Sequence, residues 1–171
     1  IQQILEDDQG DFLKGIAIVE KILSVSNLIE AQLLKARLLT KIGNYNEAEM
    51  EFQNIIPRDT LNIDAYIHFT TLYEEEQKYE KAIVIYEKAI EIDPQNKDLY
   101  FYITTPYEEL RMYEEAEKNY LKAIELDPEN TDYYLALGNL YRDELNDRDK
   151  AIKQFNKIIE IDSLFTAAYN N

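Results

Sequence analysis

The chain is governed by a period of 34 residues. Tyr66, Tyr100 and Tyr134 stand 34 apart, as do Tyr73, Tyr107 and Tyr141, Ala48, Ala82 and Ala116, and the steps Asp93-Pro94 and Asp127-Pro128. A fixed period of that length denotes one supersecondary unit stacked on copies of itself, because one unit cannot bury its apolar face alone. Most residues of such a chain serve the stacking. Function is to be sought among those the period leaves unexplained.

Each period reads as two amphipathic helices. Tyr66, Phe69, Thr70 and Tyr73 recur at spacings of three and four, which places them on one helical face. The polar Gln77-Lys78 step breaks the pattern. Tyr79, Ala82, Ile83, Tyr86, Ala89 and Ile90 then mark a second helix, which Asp93-Pro94 ends because Pro cannot continue it. Asn44 followed by Glu47 fits an N-cap with its reciprocal acid. Two helices joined by so short a turn lie antiparallel. The pairs Ala36/Ala48, Thr70/Ala82, Thr104/Ala116 and Gly138/Ala151 are small enough for the two helices to approach closely. The rings of Tyr73, Tyr86, Tyr107 and Tyr120 fill the space between units, each contributing roughly 1.5–3 kcal/mol on burial.

These residues resemble the tetratricopeptide repeat (TPR), with its pattern W-x2-L-G-x2-Y, A-x3-F and P. The matches are Tyr66-x2-Phe69-Thr70-x2-Tyr73, Ala82-x3-Tyr86 and Pro94, then Tyr100-x2-Ile103-Thr104-x2-Tyr107, Ala116-x3-Tyr120 and Pro128. A third is Tyr134-x2-Leu137-Gly138-x2-Tyr141 and Ala151-x3-Phe155, with Ser163 in the Pro place; an earlier, weaker copy has Ala36, Leu39, Gly43-Asn44-Tyr45, Ala48 and Phe52. The resemblance implies an all-α fold, a right-handed α-solenoid of antiparallel helix pairs. The expected division is 1–28 as a partial repeat holding mainly a second helix, repeats at 29–62, 63–96, 97–130 and 131–165, and the start of a further helix at 166–171, with Tyr169 near a recurring Tyr position. The chain opens on Ile1, and neither end carries a polar capping element; the expectation is a piece of a longer array or larger protein.

Composition narrows the function. Acids outnumber bases 34 to 18, and the net charge of −16 repels nucleic-acid phosphates and anionic lipid heads, so nucleic acid is not the expected partner. The charge is uneven, −5 in each of 63–96 and 97–130 but −1 in 29–62. Apolar runs are short and broken by charge, so direct membrane insertion is not expected. No signal-peptide pattern is present, which decides little in a chain that opens on Ile1; the compartment is left open, with a cytoplasmic setting favoured slightly over a secreted parent protein. Without Cys there is no thiol chemistry or Cys-ligated zinc, and one His with three Ser offers no nucleophile and base pair. Glu74-Glu75-Glu76 and Glu108-Glu109 lie on helices rather than in a loop of alternating ligands and read as solvated faces. Neither catalysis nor a cofactor is expected.

Twelve of fourteen Tyr occupy recurring positions and need only packing; Tyr102 and Tyr133 are left over. On each first helix, the face opposite the core carries Glu30, Leu33, Leu34, Arg37 and Lys41, then Asp64, Ile67, His68, Thr71 and Glu75. The next two carry Asp98, Phe101, Tyr102, Thr105 and Glu109, then Asp132, Leu135, Ala136, Asn139 and Asp143. The resemblance implies that this face lines a concave groove for partner peptides. Two ladders run along it, apolar at Leu33, Ile67, Phe101 and Leu135, acidic at Glu30, Asp64, Asp98 and Asp132. The expected groove comprises Leu33, Arg37, Asp64, Ile67, His68, Thr71, Asp98, Phe101, Tyr102, Thr105, Leu135 and Asn139. Its aromatic anchors are Phe101 and Tyr102, and its partner carries hydrophobic and basic residues. Two blander readings stand beside this one. First-turn acids favour the helix dipole by about 0.3–1 kcal/mol each, and the apolar ladder is also suited to packing on a neighbouring first helix. Some TPR domains hold a C-terminal carboxylate with Lys, Asn and Arg here. At the matching positions only Arg37 is basic and Asp98 repels an acidic tail, so that mode is not expected.

Two anomalies remain. Pro106 stands where other units have Leu38, Leu72 and Leu140, costs about 3 kcal/mol in a regular helix and predicts a kink near Tyr102, whether shaping the groove or tolerated as drift. One extra residue between Tyr141 and Ala151 reads as a longer solvated turn. The functional expectation is a non-catalytic protein–protein interaction scaffold. The alternatives are a regulatory or targeting TPR domain of a larger enzyme, of glycosyltransferase or sensor-kinase type, or a self-associating array.

Overall fold

The computed structural model describes the backbone of residues 2–169 and the side chains of residues 10–163. The described residues are helical without strands and fall into two compact units, Ile1–Ile92 and Asp93–Asn171. Unit 1 contains α1 (Gln2–Leu23), α2 (Ile29–Lys41), α3 (Tyr45–Ile55), α4 (Ile63–Glu75) and α5 (Tyr79–Ile92). Consecutive helices pack on one another, and α2 also meets α4. Unit 2 contains α6 (Lys97–Tyr102), α7 (Thr104–Glu109), α8 (Tyr113–Leu126), α9 (Thr131–Asn139), a π-helical turn (Leu140–Glu144) and α10 (Arg148–Tyr169).

The small residues sit where they were expected. Ala36, Ala48, Thr70 and Ala82 are buried in unit 1, and Thr104, Ala116, Gly138 and Ala151 in unit 2. At Gly138 the approach leaves no room for a side chain, since an added Cβ would lie 2.5 Å from Phe155 Cε1. In unit 1 the core is closed by rings, with Phe52 stacked on Phe69 at 5.1 Å and Phe69 against Tyr73 at 4.8 Å. Lys35 joins three helices. Burial disfavours its charge, but hydrogen bonds to Glu51 and Glu47, each at 3.0 Å, hold the ammonium charged, and Glu20 of α1 lies 3.5 Å away.

One turn is built the same way three times. Gly43, Gln77 and Arg111 stand 34 apart and all adopt left-handed backbone, with φ of 76°, 58° and 56°. The amides of Asn44, Lys78 and Met112 reach back five residues to the carbonyls of Leu39, Tyr73 and Tyr107 at 2.9, 2.7 and 2.8 Å, satisfying the helix C-terminus. The fourth copy holds the extra residue, and here the expected longer turn is corrected. The residue is taken up as the π-helical turn before the left-handed Asn146 (φ 50°), so that Asp147 N–H reaches back six residues to Tyr141 at 2.7 Å. Widening one helical turn keeps Tyr141 and Ala151 in register at no cost in burial.

Helix starts differ from the sequence reading too. Asn44 caps α3 without a side-chain bond to its backbone; its amide N–H donates to Glu47 Oε2 at 2.9 Å. The capping ladder lies elsewhere: the side chains of Asn62, Asn96 and Asn130, again 34 apart, accept from the backbone N–H of Ala65, Asp98 and Asp132 at 3.0, 3.2 and 3.0 Å. The expected kink at Pro106 is present: the first helix of that repeat is interrupted at Ile103 into α6 and α7, and Pro106 itself is fully buried. α5 and α8 end ahead of Asp93-Pro94 and Asp127-Pro128. By contrast α10 passes Ser163, which has no power to stop it, and continues to Tyr169, so the helix expected to start at 166 is not separate; the Tyr169 side chain and Asn170–Asn171 lie outside the described residues.

Two substitutions test this account by thermal unfolding. Gln77→Gly relieves a left-handed side-chain residue and is expected to raise stability by about 0.5–1 kcal/mol. Gly138→Ala drives a methyl into the Phe155 ring and is expected to lower stability by about 1–3 kcal/mol.

Candidate functional site

The twelve candidate residues all stand on the first helices, α2, α4, α6–α7 and α9. In unit 1, Arg37 and Asp64 are exposed, while Leu33, Ile67, His68 and Thr71 are half-buried. Arg37, His68 and Thr71 are brought together in one cleft of about 430 Å³, which Phe12, Leu34, Leu38, Thr40 and Lys41 complete. Positions 34, 37, 38 and 41 share one face of α2, and His68 and Thr71 are the 34-residue counterparts of Leu34 and Arg37. The Lys41 ammonium bonds the carboxylate of its own counterpart, Glu75, at 2.7 Å. Leu33, Asp64 and Ile67 do not line this cleft. Burial, then the positive charge of Arg37, push the His68 ring below the ordinary histidine range, with Asp64 pulling the other way.

In unit 2 the rings form a cluster. Phe101 lies 6.1 Å from Tyr102, 5.8 Å from Tyr120 and 4.9 Å from Tyr133. Tyr133 is not a leftover: it is buried, packs against Phe101 with the two rings tilted by 39°, and donates its hydroxyl to Asp98 at 3.1 Å. Asp98 is thereby tied to the next first helix, and Phe101 is half absorbed by internal packing. Tyr102, 41% exposed, and Leu135, 47% exposed, remain open to solvent; Thr105 is exposed and Asn139 half-buried at the foot of the π-helical turn. All four ladder acids, Glu30, Asp64, Asp98 and Asp132, stand in the first turn of their helices, where the dipole favours them.

The recurring tyrosines do more than pack. Tyr73 and Tyr141 donate to Glu49 and Glu117 at 2.8 and 2.6 Å, each 24 residues back. Tyr86 and Tyr120 donate to Glu74 and Glu108 at 3.1 and 2.5 Å, each 12 back. The ring fills the core while its hydroxyl bonds a carboxylate at the rim. Burial pushes the Glu74 and Glu108 carboxyls above the ordinary carboxylate range, the tyrosine hydroxyls oppose it, and for Glu108 the charges of Glu144 and Glu109 add to the rise. Among the described residues no group of three or more His, Asp or Glu is placed to hold a metal ion, and no helix is long and apolar enough to cross a membrane. Elsewhere, a broad hollow of about 640 Å³ lies between Tyr134 of α9 and α10.

Residues 63–96 and 131–163 match a family model described as tetratricopeptide repeat, and residues 112–143 match one described as TPR repeat. Among solved structures the chain is similar to a crystal structure of MamA, with a TM-score of 0.78, 24% identity and 95% of each chain covered. It is also similar to a crystal structure of MamA protein, with a TM-score of 0.76, 24% identity and coverage of 92% of this chain and 86% of that one. For MamA 41-end from Desulfovibrio magneticus RS-1 the TM-score is 0.73, at 18% identity and 94% of each chain. At these identities the likeness is one of fold alone. No curated protein matches the chain.

The half-buried Glu74 and Glu108 give a pH dependence of definite sign. A carboxyl raised in the folded state contributes stability that is complete below its unfolded pKa and is lost as pH rises through its folded value. The double variant Glu74→Gln/Glu108→Gln is therefore expected to melt above the parent chain at pH 7. The gap should close as the pH falls toward the ordinary carboxylate range, measured by thermal melts along a pH series.

Proposed function

The chain belongs to the tetratricopeptide repeat family, and on that premise we propose that it is a non-catalytic scaffold whose first-helix faces hold a segment of a partner protein. The observation that carries the reading is the asymmetry of those helices. One face is packed to near-complete burial, and the other keeps large apolar groups in water: Leu34, 43% exposed, in unit 1, and Tyr102 and Leu135 in unit 2. Apolar side chains kept in water on a face the core does not need are available to the apolar side chains of a partner. Beside the unit 2 anchors stand Glu109 and Asp132, both exposed, which suit a segment combining hydrophobic and basic residues.

Tyr102 is the clean probe. Phe101 packs on Tyr133 and Tyr120, so its truncation weakens the fold as well as the surface, whereas Tyr102 stands at the surface, 41% exposed. Tyr102→Ala is expected to leave the melting temperature near that of the parent and to weaken retention of the co-purifying partner about tenfold or more, in keeping with the loss of an aromatic hot spot. Retention should also fall as salt rises, since the acids are exposed. Full retention by a folded Tyr102→Ala chain would overturn the reading.

A further inference from the structure

We infer that unit 1 carries a second binding site, in the cavity beside Tyr66 between α3, α4 and α5, and that it takes an uncharged apolar side chain of a partner protein together with the backbone carbonyl next to it. The site goes beyond the first-helix reading, since none of the twelve candidate residues lines it.

The cavity lies beside a helix cut short by a proline. α5 and α8 run for 14 residues each, whereas α3 runs for 11 and stops at Ile55. Pro57 stands where α5 and α8 have Glu91 and Glu125, and it has no N–H to give to the carbonyl four residues back. Pro94 and Pro128, by contrast, stand beyond the ends of their helices, and their carbonyls accept from the Tyr100 and Tyr134 hydroxyls at 3.2 and 2.9 Å. The matching residue in unit 1 is Thr60. Among the described residues neither its carbonyl nor any other acceptor bonds the Tyr66 hydroxyl, although Tyr66 is only 5% exposed. The hydroxyl is not sealed in, because the one enclosed side-chain atom without a partner among the described residues is Glu76 Oε2.

The lining specifies the occupant. Ile56, Pro57, Phe69 and Ile85 give apolar walls to a space of about 190 Å³, which Tyr66 and the exposed Gln53 and Lys88 complete. A cavity of about 150 Å³ walled by Leu, Ile and Phe holds a benzene ring, so this one takes a single aliphatic or aromatic side chain. A charged group would lose its hydration against such walls, and Lys88 counts further against a cation. Burial pushes the Tyr66 phenol above its ordinary range, so it stays a donor at neutral pH. What it bonds is indicated twice in the same chain, where Tyr100 and Tyr134 each take a backbone carbonyl. A peptide segment brings such a carbonyl next to every side chain it offers.

The probe is N-acetyl-L-phenylalanine methylamide, which carries a ring beside backbone carbonyls, with ethylbenzene as the ring alone. Binding to the full chain is followed by NMR through the Ile56 and Ile85 δ-methyl signals, assigned with Ile56→Val and Ile85→Val. The peptide probe is expected to shift both signals saturably and to bind Tyr66→Phe about three- to tenfold more weakly, the loss of one net hydrogen bond, while ethylbenzene binds the two chains alike. Thermal melts check the hydroxyl itself. Tyr134→Phe is expected to lower the melting temperature through the lost bond to Pro128 O, and Tyr66→Phe to leave it unchanged. No saturable shift at Ile56 and Ile85, equal binding of the peptide probe by parent and Tyr66→Phe, or a melting loss in Tyr66→Phe that matches Tyr134→Phe overturns the inference. So does binding of ethylbenzene without the peptide probe, which would make the cavity a site for free apolar molecules. Tyr102→Ala bears only on the first-helix reading, so the two are judged separately.

Discussion

The approach of paired helices at their small residues is the constraint from which the rest follows. Ala, Thr or Gly at that position lets two helices come close enough for the rings beyond it to be shared. At Gly138 the facing Phe155 ring occupies the volume a methyl would need. Once that distance is set, the side of each first helix turned away from its partner is left over in every repeat. The surface available for recognition is thus a by-product of the packing, and its chemistry is free to vary where the core is not.

Tyrosine resolves the conflict between a ring-filled core and an acid-rich surface. A phenol buries its ring and sends its hydroxyl to a carboxylate at the rim, as Tyr73, Tyr86, Tyr120 and Tyr141 do. The acids gain donors in a chain with few cations to spare, but burial still disfavours the charge on Glu74 and Glu108. Part of the negative charge is therefore held against the fold rather than displayed to solvent.

The two units use the same positions differently. In unit 2, Phe101, Tyr133 and Asp98 knit one first helix to the next, so part of the apolar and acidic ladders is absorbed by internal packing and Tyr102 stands out beside it. In unit 1 the corresponding face stays open as a cleft with Arg37 at its rim. A ladder of like residues does not make a uniform groove.

The sequence by itself determined the helix pairs, their small-residue contacts, the stops at Asp93-Pro94 and Asp127-Pro128 and the break at Pro106, because each follows from periodicity or from backbone chemistry that acts locally. It also carried, unread, the Asn62–Asn96–Asn130 caps, visible as a further ladder at the same spacing. Only the tertiary structure decided which hydroxyl reaches which acid, that Tyr133 is buried, that the extra residue widens a helix instead of lengthening a turn, and that Phe12, Leu34, Leu38 and Arg37 close around one cleft. Apart from the π-helical turn, those outcomes join residues 12 to 35 positions apart, and a period records that such positions recur without recording how their side chains meet in space.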